Sequence, residues 1–168
     1  TAPYTLKVDN NNITSKMIFL CTGSRPAIPP IKGLQNVGYL TSDTILKLDY
    51  LPETITIIGG GYIAAEYGHF LSVMGSKVTI IGRNPQFLPD EEPEISLLAK
   101  RELQKYMIII TNHEVQSAEK TLTGKKMLIA VNRENQKKVE IQGDEILVAS
   151  GREPNTDLLH PEKAGIKT

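Results

Sequence analysis

The chain has one cysteine, no net charge and no apolar run long enough to cross a bilayer, and each shortage removes a class of function. A single thiol, Cys21, among 168 residues excludes an internal disulfide framework, a multi-cysteine metal site and a redox dithiol within the chain. Cys21 ends the apolar run Met17-Ile18-Phe19-Leu20-Cys21, so it is expected to be a buried, inert thiol rather than a nucleophile. Nineteen basic and nineteen acidic residues leave no overall field to attract nucleic acid or an anionic membrane. Lys125, Lys126, Lys137 and Lys138 lie in turns without interleaved aromatics and read as solvated faces, not a nucleic-acid groove. The polar start Thr1-Ala2-Pro3-Tyr4 is unlike a secretion signal, and with no spanning segment the expectation is a cytoplasmic chain without membrane partners. His69, His113 and His160 are scattered with no partner arrangement that marks an acid/base pair, so each reads as a surface or locally hydrogen-bonded histidine. No metal site is expected.

Glycine in one place is what the chain does have. The apolar run Thr54-Ile55-Thr56-Ile57-Ile58 enters Gly59-Gly60-Gly61-Tyr62-Ile63-Ala64-Ala65-Glu66, a strand-to-glycine-to-helix junction. Gly59 allows a sharp turn, Gly61 removes the Cβ that would block a pyrophosphate, and Ala64 keeps the helix close to its strand. The helix N-terminus offers unpaired amides to an anion. Alone, such a pattern also fits a structural turn that binds nothing. Its context, with a strand before it and a second strand Lys77-Val78-Thr79-Ile80-Ile81 after the helix, has the spacing of a dinucleotide-binding βαβ unit.

Around this unit, residues 4–8 and 16–21 read as strands of a hairpin divided by Asp9-Asn10-Asn11-Asn12. Pro26, Pro29 and Pro30 make residues 22–35 an extended connection rather than sheet. Ser42-Asp43-Thr44 predicts the cap of a short helix through Leu48. Ile63, Tyr67, Phe70, Leu71 and Met74 fall at helical spacing as the face over the sheet, and Gly75 is the stop. Residues 84–89 read as a loop, and Ile95, Leu98, Ala99, Glu102, Leu103 and Tyr106 trace a further helix opened by Pro93. Beyond the strand 107–110 the helical pattern ends, and segments 114–117, 127–131 and 138–141 read as an antiparallel meander before a last strand, 145–149. The expected fold is α/β: a Rossmann-like βαβ three-layer domain with a parallel sheet and an antiparallel β-meander.

Four segments taken together resemble the flavoprotein disulfide reductases, the pyridine nucleotide-disulfide oxidoreductases that include dihydrolipoamide dehydrogenase, glutathione reductase and mercuric reductase. They are Cys21-Thr22-Gly23-Ser24-Arg25-Pro26, Gly59 to Glu66, Gly75-Ser76-Lys77-Val78-Thr79 and Gly151-Arg152-Glu153-Pro154-Asn155. The resemblance implies an NAD(P)-binding domain inserted into a flavin domain: residues 1–46 as flavin-side strands and linker, 47–152 as the NAD(P)-binding domain, 153–168 as the return connection. It implies NADP or NAD in this domain, FAD bound mostly outside it, and a parent homodimer through a C-terminal domain. The family's FAD-binding glycine motif, its C-x4-C disulfide and its His-Glu pair have no counterpart here, so the chain is expected to be a fragment, inactive alone, with no catalytic residue of its own.

By the same resemblance, Tyr62 covers the nicotinamide pocket, with a core aromatic as the alternative. Glu66 pairs with a flavin-domain lysine, or is a plain helix-surface carboxylate. Gly59, Gly61, Tyr62, Ile63, Glu66, Gly82, Arg83 and Gly151 form the expected cofactor-binding set. Gly82 stands where NAD-type sites carry a carboxylate for the ribose hydroxyls, and Arg83 matches the first of two arginines in NADPH-using relatives. Pro89 occupies the second position, and Asp90-Glu91-Glu92 follows close behind. Arg83 could also stack on adenine or be a solvated charge; the balance favours NADPH, with use of both nucleotides left open. Arg152 and Asn155 are expected to hold the return connection. Two other functions stay open: a stand-alone nucleotide sensor without turnover, and a ferredoxin- or nitrite-type flavoprotein reductase lacking the cysteine pair.

Overall fold

A computed structural model describes residues 4–166, apart from the side chain of Leu158; the polar start at residues 1–3 lies outside the described residues. From N- to C-terminus the first elements are β1 (Thr5–Val8), β2 (Asn11–Thr14), β3 (Ser24–Pro26), α1 (Leu34–Val37), β4 (Leu40–Thr41), a 3-10 turn (Ile45–Lys47), β5 (Thr54–Ile58), α2 (Tyr62–Met74) and β6 (Lys77–Ile81). Then come α3 (Pro93–Leu103), β7 (Ile108–Ile110), β8 (His113–Lys120), β9 (Lys126–Asn132), β10 (Lys138–Gly143), β11 (Glu145–Val148), β12 (Arg152–Pro154) and two 3-10 turns. The chain divides into two compact units, Pro26–Gly151 and a smaller one built from the segments on either side of it.

In the larger unit a five-stranded parallel sheet runs in the order β4-β11-β5-β6-β7, and β10-β9-β8 form a separate antiparallel sheet. Both faces of the parallel sheet are buried, which is why its strands read as unbroken apolar runs. Strand alternation sends Ile55, Ile57, Val78, Ile80 and Leu147 into a core shared with Ala64 and Leu71 of α2. Ile58, Ile81, Ile146 and Val148 enter a second core with Val115, Leu128 and Ala130 of the antiparallel sheet. Helices, parallel sheet and antiparallel sheet thus make the three layers expected from the sequence.

The helix faces depart from their periodicity. In α2 the buried residues are Ala64, Gly68 and Leu71, with Ile63 and Tyr67 at the margin. Phe70 and Met74 are 49% and 58% exposed. The helix lies so close to the sheet that a Cβ on Gly68 would stand 2.9 Å from Ile80 Cδ1 and 3.1 Å from Met107 Sδ. Small residues therefore hold the contact line, and the large apolar side chains are turned aside. Gly75 ends the helix at φ 114°, its N–H bonding back to Leu71 and Ser72. In α3 the buried residue is Ser96, whose hydroxyl donates to the Phe87 carbonyl; Ile95 and Leu98 are exposed, as is Tyr106, which lies beyond the helix end at Leu103.

The smaller unit holds the β1-β2 hairpin and the β12-β3 pair. Its hairpin turns at Asp9, in the left-handed region at φ 53°, so the second strand is Asn11–Thr14 and not residues 16–21, which form no strand. Without a strand partner Met17 and Phe19 are 69% and 79% exposed, and Cys21 is exposed, not buried. A strand, β3, also occupies part of the stretch read as plain connection, because Arg152 Nε and Nη2 donate to Ser24 and Asn155 Nδ2 donates to the Thr22 carbonyl. These bonds tie Arg152 and Asn155 to residues 22–24. Arg25 donates to Glu153, Asn155 and Asp157, and the hydrogen bonds to Asp157 hold its guanidinium above its ordinary pKa.

Candidate functional site

The carboxyl ends of β5, β6 and β11 are in register: Ile58 lies beside Ile81 and Val148 beside Ile58. The segments that leave these ends, at Gly59, Gly82 and Ala149, therefore meet along one rim. Chain order reverses here, since β5 continues to β6 and β7 on one side and has β11 and β4 on the other. In open α/β sheets this reversal leaves a crevice in which ligands bind.

Each glycine of the loop has its own reason to be glycine. Gly59 sits at φ 134°, and a Cβ there would stand 2.1 Å from the Ala149 carbonyl oxygen. Its N–H donates to the Ile81 carbonyl, so it joins all three strand ends. Gly61 differs. Its φ of −93° suits any residue, and a Cβ would meet no protein atom within 4 Å. The absence of a side chain at Gly61 clears space in front of the α2 N-terminus, which carries no side-chain cap. The first amides of a helix have no intrahelical acceptor, and with the helix dipole they favour an anion in that space. The loop thus fits the pyrophosphate of a dinucleotide.

The loop after β6 is tied down by residues whose part was not legible in the sequence. Phe87 is 1% exposed and packs in the helix-side core. Beside it the Leu88 N–H donates to the Gly60 carbonyl at 2.7 Å. A Cβ on Gly82 would stand 3.3 Å from Gly60 Cα, so the two loops touch backbone to backbone. The missing side chain at position 82 therefore has a packing cause as well as any bearing on nucleotide choice. The sequence signal for Phe87 was one apolar pair, Phe87-Leu88, between two prolines in a short loop.

The remaining expected residues fall on the same rim or beside it. Tyr62, on the first turn of α2, is 61% exposed, which excludes the core-aromatic alternative. Ile63 is half-buried at the edge of the core, and Glu66 is exposed. Arg83 is exposed and, among the described residues, has no carboxylate partner. Gly151 is at φ 128° with open space where a Cβ would stand, and its carbonyl accepts from Ala27 N–H.

The opposite, amino-terminal ends of the parallel strands carry structural charge. Asp144 accepts from the Thr54 hydroxyl and amide, and these bonds, the hydroxyl first, lower its pKa below the ordinary carboxylate value. Glu145 accepts from Tyr50 and Lys126; the Glu145 hydrogen bond raises the Tyr50 phenol to about 12. Lys126, expected as a solvated charge, is instead largely buried in this pair, with 13% of its side chain exposed. Of the histidines, His113 Nδ1 is bonded to the Thr111 carbonyl, His69 packs edge-on against Tyr106 and His160 lies 3.3 Å from Glu162. Among the described residues no helix is long and apolar enough to cross a membrane.

Comparison with known proteins agrees with this arrangement. The family model "Pyridine nucleotide-disulphide oxidoreductase" matches residues 2–168. A mercuric reductase of Staphylococcus aureus is 39% identical over 165 residues, 98% of this chain and 30% of its own length. A dihydrolipoyl dehydrogenase of Synechocystis is 37% identical over 158 residues, 93% of this chain and 33% of its own. The solved structure of the HOCl-induced flavoprotein disulfide reductase RclA from Escherichia coli superposes with a TM-score of 0.82 at 33% identity, over 98% of this chain and 37% of that one. The chain thus spans about a third of the length of these relatives, and it belongs to the pyridine nucleotide-disulphide oxidoreductase family.

Proposed function

We propose that this chain is the NAD(P)-binding part of an FAD-dependent oxidoreductase, with residues 47–152 as the nucleotide domain and residues 1–46 and 153–168 on the flavin side. The observation that carries the reading is the clear space at Gly61 over the uncapped α2 N-terminus, at the point where strand order reverses. In it the amides that open α2 hold the pyrophosphate, and Gly59, with no Cβ to strike the Ala149 carbonyl, lets the loop turn close against that strand end so that those amides stay aimed. Tyr62, exposed beside them, covers the nicotinamide end, and Gly151 leaves room for its approach. Bound there, the nucleotide supplies or accepts a hydride, its exchange partner being FAD. The chain's own contribution is orientation: binding of the adenosine half positions the reacting ring. Glu66 is exposed on the same helix face as Tyr62, one turn on, and serves as a contact for the flavin side.

At the adenosine end Arg83 favours NADP, because a guanidinium fork matches a 2′-phosphate and Gly82 offers no carboxylate to the 2′-hydroxyl of NAD. Mercuric reductase or dihydrolipoamide dehydrogenase chemistry in the parent follows the relatives named above, and a homodimeric parent follows the family resemblance of the sequence. Calorimetric titration of the full-length protein carrying this chain with NADPH and NADH, beside Arg83→Ala, tests the reading. Tighter NADPH binding that Arg83→Ala abolishes supports it; equal affinities that the substitution does not change remove the case for a 2′-phosphate contact.

A further inference from the structure

Near the start of α3 the polar Ser96 is buried while the apolar Ile95 and Leu98 beside it face outward, a reversal of the usual order. The Ser96 hydroxyl donates to the Phe87 carbonyl. The peptide unit that carries this carbonyl also carries the Leu88 N–H, which donates to the Gly60 carbonyl at 2.7 Å. The Gly60 carbonyl in turn shares its peptide unit with the Gly61 N–H. No peptide bond among the described residues is cis, so in each unit the N–H points to the side opposite the carbonyl oxygen. Ser96 is therefore joined to the Gly61 amide through two peptide units in series, and the bond from Leu88 turns that amide away from the loop after β6.

The series is held in place at a cost in backbone strain. Leu88 lies in the left-handed region at φ 50°, where a bulky residue is an outlier, and such strain persists only where the surroundings over-determine it. Here they do. The Leu88 carbonyl accepts from the Glu91 N–H at 3.1 Å, Gln86 Nε2 donates to the Glu91 carbonyl at 2.8 Å, and the Leu88 side chain packs at the margin of the helix-side core. At the other end, among the described residues, the Gly61 N–H has no protein acceptor. Hydrogen bonds linked in a chain polarise one another, the more so where water is excluded, as it is at Ser96 and Phe87. A donor that ends such a chain without a protein acceptor is strengthened for whatever binds in front of it, and an anion is the acceptor that gains most.

We infer that Ser96 is a positioning residue of the pyrophosphate site, which aims and polarises the Gly61 N–H through the Phe87–Leu88 and Gly60–Gly61 peptide units. The inference rests on the nucleotide reading above and adds to it a residue from a second helix. The α2 amides meet the phosphate directly, and α3 acts on it through this relay.

Two measurements on the full-length protein carrying this chain test the relay. The first is the amide NMR spectrum of ligand-free protein labelled with 15N-glycine, in which Gly61 is assigned by the signal that Gly61→Ala removes. Ser96→Ala should move the Gly61 amide proton upfield and leave the amides of Gly59 and Gly82, bonded to Ile81 and Ile110, in place. If all three move together, or Gly61 does not move, Ser96 only holds the shape of the loop and the relay is refuted. The second is calorimetric titration with ADP-ribose, which carries the pyrophosphate without nicotinamide. Ser96→Ala should weaken it about three- to tenfold, within the worth of one neutral hydrogen bond. Ser96→Cys, close in shape but a weaker donor, should fall between. If Gly61→Ala weakens ADP-ribose and Ser96→Ala does not, the relay is refuted and the nucleotide reading stands. If neither substitution changes ADP-ribose affinity, the nucleotide reading fails and the relay fails with it.

Discussion

Replacing Gly61 by alanine should separate ligand binding from folding. The residue's φ of −93° is open to alanine, and the added methyl meets no protein atom within 4 Å. Folding should therefore be unharmed. A glycine-to-alanine change at a compatible position stabilises by ~0.4–1 kcal/mol through the unfolded chain, which for a domain of this size raises the melting temperature by about 1–4 °C. On the proposed reading, the same methyl stands where the pyrophosphate approaches the α2 amides. Displacing the phosphate from one such charge-assisted bond loses roughly 1.5–3 kcal/mol, or about ten- to hundredfold in affinity. Differential scanning calorimetry and nucleotide titration of the same preparation read both quantities. Unchanged or raised stability with nucleotide affinity reduced at least tenfold is the expected pair. A variant that melts as predicted and binds nucleotide as well as the parent protein would mean that the space before Gly61 holds nothing.

Three further perturbations probe the frame around that space. Gly59→Ala puts a Cβ 2.1 Å from a backbone oxygen at φ 134°, so denaturant melts should show a loss of at least ~2 kcal/mol; a neutral outcome would contradict the positive-φ turn. Phe87→Ala empties a fully buried site and should cost about 3–5 kcal/mol, and because Leu88 tethers Gly60, nucleotide affinity should fall as well; a small stability change would show that the loop after β6 is not anchored in the core. The Thr54 hydroxyl and amide lower the Asp144 pKa, so this group's contribution to stability is complete above the ordinary aspartate value of 3.8 and is lost as pH falls through the depressed folded-state value. Thr54→Val should shift acid unfolding to higher pH without changing stability's dependence on pH above about 5, and an unmoved acid midpoint would show that the hydroxyl does not hold the carboxylate.

What could be read in advance was whatever depends on neighbours in sequence. The strand 54–58, the helix 62–74 and the strand 77–81 were legible to the residue, because apolar runs, a glycine turn and a glycine stop are local signals. The order of the antiparallel strands was legible for the same reason. What escaped was set by distant contacts. Leu34 and Val37 are buried at 1% and 5% in a short helix that the prolines before it disguised, and its entry at Gly33 exists because a Cβ would meet the Ala118 carbonyl at 2.2 Å. The stripe on α2 was misread because helix-to-sheet distance, and not periodicity, decides whether Gly68 or Phe70 faces inward. Cys21 was expected to be buried from the apolar run around it, but that run finds no strand partner. In the candidate site, Gly59, Gly61 and Tyr62 were visible in one continuous motif, whereas Phe87 reaches it by packing into the helix-side core beside the Leu88-to-Gly60 bond.

The central claim is that the glycine loop between β5 and α2 holds a pyridine nucleotide. The most direct measurement is a crystal structure of the full-length protein grown with NADPH. The account predicts the nucleotide's pyrophosphate in front of Gly61, within hydrogen-bond distance of the amides that open α2, with its adenosine toward Arg83. Pyrophosphate of a flavin in that position, or NADPH bound elsewhere with the loop empty, would contradict it.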